Sequence, residues 1–565
     1  MSNKEIIKLF KLTASLLELH DANPFKVRGY TGFVFNMEKT TLSLYSDDTE
    51  KLKEAGVSKG MLVKIEEIRE TGSFKELDEL LETTPAGVIK MLDIKGIGAK
   101  KIKTIWKELG VESLEALIEA CKNDQISALK GFGKKTQELI IEQIEFIDSN
   151  VGKLLFAKAE PFALELEKYL KEKLPNTPVF ISGQLRRAME IIDKLELLVS
   201  TENTDAVWEA MADVPEIVYH EAESSPFTWR GEIEENKLKV EVKVIQPEKA
   251  ASQLFIDSSD PFHLAFITAE GKSLRSIAIE NSFETEEAIY KKAGLGYVQP
   301  EMREGDFELD LAKENKLPEL LTLEDLKGSL HNHSNYSDGK NTLEEMATYC
   351  RDMGYEYLGI SDHSKSAFYA NGLDESRIIA QHKEIDELNE KLAPFKIFKG
   401  IESDILNDGN LDYDNEVLAS FDFIVASIHS NLKMDKQKAT DRLLKAIANP
   451  YTTTLGHPTG RLLLKREGYP IDHKAVIDAC AAANVSIEIN ANPLRLDLDW
   501  RWVRYALDQN VMISINPDAH ETAGYHDMRY GVLVGRKAGL TKEMTLNAMS
   551  AEELEEVFRK KREGK

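Results

Sequence analysis

Six histidines in the last two-fifths of this 565-residue chain stand where short apolar runs end, and a helix-like segment separates each run from the next. The pieces are His331-Asn-His333-Ser-Asn-Tyr-Ser-Asp338-Gly339, Ser361-Asp362-His363, Gly400-Ile401-Glu402, Ser427-Ile428-His429, Leu455-Gly456-His457-Pro458 and Asn516-Pro517-Asp518-Ala519-His520. The apolar runs include Tyr357–Ile360, Phe423–Ala426, Ser486–Ile489 and Val511–Ser514. Strand-helix alternation of this kind predicts a parallel sheet or barrel, in which functional groups collect where the strands end. In His331-x-His333, alternation along an extended chain sends both imidazoles to one side, where they can chelate one ion. Any one of these histidines alone reads as a hydrogen-bonded core residue. Together, with Asp338, Glu402 and Asp518 beside them, they read as a multinuclear metal site. Mixed imidazole and carboxylate ligands suit zinc, manganese or iron.

These motifs closely resemble the PHP (polymerase and histidinol phosphatase) phosphoesterase domain, over roughly residues 325–565. The resemblance implies a distorted seven-stranded β/α barrel carrying three divalent metals (Mn2+, Zn2+ or Fe2+). By motif, His331, His333, Glu402 and Asp518 would hold one ion, and Glu402, His429 and His457 a second. Asp338, His363 and His520 would hold the third. Glu402 would bridge two ions and so count as catalytic. The implied chemistry is attack of a metal-activated water on phosphorus. Arg461, just after His457-Pro-Thr-Gly460, is the candidate phosphate clamp, with a surface salt bridge as its other reading.

Length calls for several domains. Cys121, Cys350 and Cys480 show no CxxC pairing, which suits a reducing cytoplasm. Lysines and a glutamate interrupt the first residues and no apolar run reaches bilayer length, so neither a signal peptide nor membrane association is expected. The formal charge of −25 is unevenly spread: residues 151–325 hold 20 Lys+Arg against 35 Asp+Glu, residues 1–150 hold 22 against 25, and 326–565 hold 30 against 37. The middle of the chain is therefore the part least suited to a polyanion.

The front of the chain carries two glycine turns between helices, Lys95-Gly96-Ile97-Gly98-Ala99-Lys100 and Lys130-Gly131-Phe132-Gly133-Lys134. Glycines allow a tight turn and close approach to a phosphate, and amides of the following helix point outward. The pair resembles a tandem helix-hairpin-helix, which implies sequence-independent DNA binding through Gly96, Gly98, Lys100, Gly131, Gly133 and Lys134. An ordinary glycine-capped helical turn is the other reading. Before it, Leu16 to Tyr30 resembles the small N-terminal domain of X-family DNA polymerases, with Lys26 and Arg28 as possible phosphate contacts.

The whole order is similar to bacterial X-family polymerases bearing a C-terminal PHP exonuclease domain. It implies a helical domain over 1–80, the tandem hairpins over 81–150, an α+β nucleotidyltransferase-like palm and thumb over 151–315, and the PHP barrel over 325–565. The palm departs from the pattern. Aligned on Gly183, Arg186 and Arg187, Gln184 replaces a triphosphate-binding serine, and Lys194, Glu196 and Glu241 replace three catalytic aspartates. Asp257 falls in the presumed nucleotide pocket. A protonated ammonium cannot ligate Mg2+, and glutamate reaches about one methylene too far for tight octahedral geometry. Expected, then, is a metal-dependent 3′→5′ exonuclease or 3′-end processing enzyme acting on gapped or 3′-ended DNA, with an inactive palm. A working gap-filling polymerase, a small-molecule phosphatase and a non-enzymatic DNA scaffold are the alternatives.

Overall fold

The computed structural model describes residues 1–563 except 2, 39 and 41. It divides into two compact units, Met1–Val151 and Gly152–Lys565. Among the described residues no helix is long and apolar enough to cross a membrane. The three cysteines are buried and unpaired.

The first unit is helical. Helices Asn3–Leu19, Pro24–Met37, Lys59–Thr71 and Lys75–Thr83 bury an aromatic centre, where the Phe10 ring lies 4.5 Å from Phe33 and 5.2 Å from Phe74. Pro24 opens its helix at a position whose N–H has no intrahelical partner, and the Asn23 side chain accepts from the Phe25 amide. Lys26 is ion-paired with Glu76, so its charge is already partnered within the unit. Two helical hairpins follow, Ala86–Met91 with Ala99–Leu109 and Gln125–Ala128 with Lys134–Ser149.

In the second unit a five-stranded mixed sheet runs in the order Val179–Ser182, Lys194–Ser200, Lys239–Ile245, Thr228–Ile233, Ile217–Tyr219. Only the Lys194–Ser200 and Lys239–Ile245 pair is parallel, and its register sets Glu196 opposite Glu241. Helix Phe156–Lys173 packs on this sheet through Phe156, Ala159, Ala163 and Leu166. A small helical cluster over 250–314 buries Phe255, Ile277, Ile289 and Tyr290.

Seven parallel strands form the C-terminal barrel in chain order: Gly328–Ser329, Tyr357–Ile360, Lys396–Asp404, Phe423–Ser427, Thr454–Leu455, Ser486–Asn490 and Ile513–Asn516. Tyr357–Ile360, Phe423–Ser427 and Ser486–Asn490 are buried at every residue, which is why the first two read as nearly continuous apolar runs, while Ser486–Asn490 alternates and buries its polar side chains too. First and last strands nearly close the ring: Asn332 bridges Ala519, and the His333 amide donates to the Ala519 carbonyl at 2.8 Å. The outer helices start where short polar side chains cap free amides, as with the Thr342–Glu345 capping box and Asp435, Asp472 and Asp499.

Palm and barrel share one compact unit, and polar anchors explain it. Lys537, on the barrel helix Met528–Lys537, is fully buried and donates to Arg187 O (2.9 Å), Glu301 O (3.1 Å) and Glu304 Oε1 (2.6 Å). Trp500 Nε1 donates to Glu190 Oε2 at 3.2 Å. A buried ammonium is tolerated only with such partners.

Candidate metal centre

All nine side chains singled out as ligands converge at the C-terminal ends of the barrel strands. His331 and His333 follow the first strand, His363 the second, His429 the fourth, His457 the fifth, and Asp518 and His520 the seventh. Glu402 lies within the third. Its carboxylate is the hub: Oε1 is 3.0 Å from His457 Nε2, 3.1 Å from His429 Nε2 and 3.3 Å from His331 Nε2. Oε2 is 3.0 Å from His363 Nδ1 and 3.7 Å from His333 Nε2. Asp518 Oδ1 sits 3.0 Å from His333 Nε2. Asp338 Oδ1 sits 3.4 Å from His520 Nε2 and 3.7 Å from His363 Nε2.

Three groups have ligand atoms within 4.8 Å of one another: His331, His333 and Asp518; His363, Glu402 and His429; and His333, Asp338, His363 and His520. The groups overlap at His333 and His363, and a neutral imidazole has one lone pair, so each of these rings serves one ion; His457 joins the cluster through Glu402. The donor set fits divalent cations. His331 Nε2, both ring nitrogens of His333, His363 Nδ1, Glu402 Oε2 and His457 Nδ1 are buried with no hydrogen-bond partner. Each such atom costs roughly 1–3 kcal/mol if left unmet, a penalty that coordination removes at the carboxylate oxygen and at one nitrogen of each ring.

The crowded side chains shift one another in opposite directions. Burial pushes His333 down to about 3, reinforced by His520 and His363, so this ring stays neutral as a ligand must. Burial opposes charge on Asp338 and His429, but Asp338 is held down at about 2 by His520 and neighbouring rings, and His429 rises to about 10 against Glu402 and Asp404, so this ring must release a proton to ligate a cation. Asp518 carries its carboxylate on left-handed backbone at φ 54°, a strained conformation of the kind found at working sites.

Several supporting residues escaped the sequence reading. Glu488, fully buried, takes His331 Nδ1 at 2.7 Å and also accepts from Asn516 Nδ2 (3.0 Å) and Asn490 Nδ2 (3.1 Å). Asp404 holds His429 Nδ1. Asp362 gathers Ser334 N (2.8 Å), Ser334 Oγ (2.7 Å) and Gln381 Nε2 (2.6 Å), pinning the loop from His333 to Asp338. Such partners fix ring orientation and tautomer. The available signal was a lone carboxylate inside an apolar run (Glu488) and a carboxylate two residues from another on one strand (Asp404).

Arg461 requires correction as the phosphate clamp. Its Nε donates to Arg495 O at 2.9 Å, and its remaining donors go to Leu496 O and Asp499. With the whole fork engaged it braces the 495–499 segment. The guanidinium that faces the ligands is that of Arg495, whose Nε is 3.6 Å from Asp518 Oδ2.

In the palm, Lys194 Nζ lies between the two glutamates, 2.8 Å from Glu196 Oε1 and 3.2 Å from Glu241 Oε1. Glu241 Oε2 is taken by Arg230 Nε at 2.6 Å, and Asp257 Oδ1 by Lys243 Nζ at 2.7 Å and Gln253 Nε2 at 2.8 Å. Arg186 pairs with Glu286, and Arg187 with Glu304 and Asp260. The Gln184 side-chain Oε1 accepts from the Asp193 backbone amide at 2.9 Å.

In the hairpins the glycines divide by role. Gly96 and Gly131 adopt positive φ (91° and 85°), which the turns require. A Cβ at Gly96 would also lie 2.4 Å from Leu139 Cδ2, so bulk there reports on folding and not on approach to a ligand. Gly98 and Gly133 have ordinary φ and cap the second helix of each hairpin, and a Cβ at either would meet nothing within 4 Å. Nothing inside the molecule demands glycine at these two positions; they leave the surface bare beside free helix amides. Lys100 and Lys134 are exposed next to them.

Comparison with known proteins matches residues 88–145 to the SAM-like helix-hairpin-helix tandem family and residues 329–492 to the PHP domain family. The DNA polymerase/3′-5′ exonuclease PolX of Bacillus subtilis (strain 168) is 34% identical over 98% of this chain and 99% of its own length. A probable phosphatase of Acetivibrio thermocellus is 27% identical over 40% of the chain and 90% of its own length. Another, from Thermoanaerobacter sp. (strain X514), is 29% identical over 28% of the chain and 67% of its own length. Full-length similarity, the tandem hairpins and the PHP barrel agree: the chain belongs to the bacterial X-family DNA polymerases that carry a C-terminal PHP domain.

Proposed function

We propose that this protein is a metal-dependent phosphoesterase that removes nucleotides from DNA 3′ ends, and that its palm no longer adds them. The observation that carries the first half is the convergence of eight candidate ligand side chains with Glu402, several of whose buried ring nitrogens, and Glu402 Oε2, have no hydrogen-bond partner. His331, His333, Glu402 and Asp518 would hold one divalent ion, and Glu402, His429 and His457 a second. Asp338, His363 and His520 would hold a third, so that only the carboxylate of Glu402 serves two ions. When bound, the ions supply Lewis acidity, lowering the pKa of water and offsetting charge on phosphate oxygens. The chain's own residues orient and select. Glu488 and Asp404 fix the rings of His331 and His429, while Arg495 sets positive charge beside Asp518, where a phosphate oxygen can be met. In the front unit, Gly98 and Gly133 with Lys100 and Lys134 offer backbone amides and charge to a DNA backbone without reading its sequence.

Support for an inactive palm comes from Lys194. Its ammonium fills the space between Glu196 and Glu241 with positive charge, where an X-family palm needs a cation. The full-length relative from Bacillus subtilis is named a DNA polymerase, which favours the second reading, a palm that still extends primers. Purified protein should contain transition metal and release 3′ nucleotides from end-labelled DNA, and a chelator should abolish release. Metal-free protein that degrades DNA equally well contradicts the proposal.

A further inference from the structure

Two large aromatic side chains stand in solvent on one short turn, and one of them, Tyr369, lies against the candidate ligand His363. Phe368 is 88% exposed and Tyr369 69%, while the residues around them point inward: Ala367, Ala370 and Leu373 are buried. Apolar rings held out this far gain nothing for the fold. The turn is rigidly built. Leu373 N donates to His363 O at 2.8 Å and Gly372 N to Ala367 O at 3.1 Å, closing its base. Ser366 donates from N to Asp412 Oδ2 (2.6 Å) and from Oγ to Asp404 Oδ2 (2.8 Å), and Asp404 is the carboxylate that holds His429. A Cβ at Gly372 would fall 1.9 Å from Ser364 O, so the two arms of the turn touch. The Tyr369 ring centroid is 6.1 Å from that of the ligand His363, edge-on at 61°.

We propose that Phe368 and Tyr369 form a stacking platform for the unpaired 3′-terminal base of a nucleic-acid strand whose phosphodiester lies in the metal cluster. The inference rests on the nuclease reading above and names what that site selects. Every base has a π face, so a preordered aromatic surface beside the scissile position grips a strand end of any sequence. A terminal base must be unstacked to lie there, so the platform favours single-stranded or frayed ends over paired ones. It distinguishes a nucleotide from a small phosphomonoester, which has nothing to stack.

The test uses full-length protein with Mn2+ and two single-stranded oligonucleotides differing only at the 3′ end, one with a normal terminal nucleotide and one with an abasic terminal residue. In wild-type protein the base-bearing end should show the lower KM. The Phe368→Ala/Tyr369→Ala protein should raise KM for the base-bearing end by roughly tenfold or more and leave kinetics on the abasic end unchanged. Phe368→Tyr and Tyr369→Phe should keep the wild-type preference. Because both rings are exposed, their loss leaves the core intact. A double variant with wild-type KM on the base-bearing end overturns the platform alone. Wild-type protein that shortens neither strand overturns the nuclease reading and the platform with it.

Discussion

Removing the Lys194 ammonium while keeping its aliphatic arm, as in Lys194→Met, should destabilise the palm, and more so in alkali than in acid. Nζ is 2.8 Å from Glu196 and 3.2 Å from Glu241. An exposed ion pair contributes about 0–1 kcal/mol, whereas stripping one partner from a buried pair costs about 3–5 kcal/mol. Lys194 is 33% exposed and Glu241 keeps Arg230 and Lys243, so the expected loss lies between these limits, about 2 kcal/mol at pH 8. The pH dependence follows from Glu196. Burial already lifts its carboxyl above the usual range against the pull of Lys194, and loss of the ammonium lifts it further. A carboxyl whose folded pKa exceeds its unfolded value adds stability below the unfolded pKa, and that contribution disappears as pH rises through the folded pKa. The deficit of the variant should therefore be smaller at pH 5. Thermal unfolding followed by circular dichroism should show a midpoint about 4 °C lower at pH 8. Excess Mg2+ should raise the variant's midpoint more than the wild type's, since no ammonium then excludes a cation from the space beside Glu196 and Glu241. A variant that melts with the wild type at both pH values refutes the idea that Lys194 occupies a cation position.

Other perturbations separate the remaining parts of the account. Glu402→Gln should lower kcat for nucleotide release by about 10³-fold, equivalent to about 4 kcal/mol, with metal content by mass spectrometry falling in step. Asp338→Ala, at the more exposed edge, should be milder, so equal losses in the two variants count against Glu402 as the hub. Glu488→Gln should weaken metal retention about 10- to 100-fold with the fold intact by circular dichroism, and unchanged retention would leave Glu488 a mere core residue. In full-length protein with chelator present, Gly98→Val and Gly133→Val should weaken DNA binding without lowering the melting point, and binding should fall as salt rises. Wild-type affinity in both variants would make the hairpins structural.

The candidate metal ligands were legible because barrel chemistry is written at strand ends: a period-two pair at His331 and His333, then donors at the second, third, fourth, fifth and seventh strands. Which ring nitrogen each imidazole offers was not, since that depends on side-chain directions that spacing does not encode. Arg461 shows the same limit. It follows His457 closely in sequence, yet its partners are carbonyls of Arg495 and Leu496 and the carboxylate of Asp499 on a different segment, so its contacts favour the salt-bridge reading over the clamp. Lys194 could be aligned to a catalytic position, but only the parallel register of its strand with Lys239–Ile245 shows the ammonium settled between Glu196 and Glu241. Glycine identity at 96, 98, 131 and 133 marked the hairpins without distinguishing the pair that the turns require from the pair that bares a surface. The sharing of one compact unit by palm and barrel had no sequence signal, because a buried lysine such as Lys537 reads like any surface lysine.

The central claim is that this scaffold shortens DNA and does not extend it. A gapped duplex with a 5′-labelled primer, incubated with Mn2+ and all four deoxynucleotides, reads both activities as opposite changes in primer length. Full-length protein should shorten the primer, and Glu402→Ala protein should leave it unchanged. Template-directed extension of the primer, persisting in Glu402→Ala protein, would contradict the account and restore the palm as the working site.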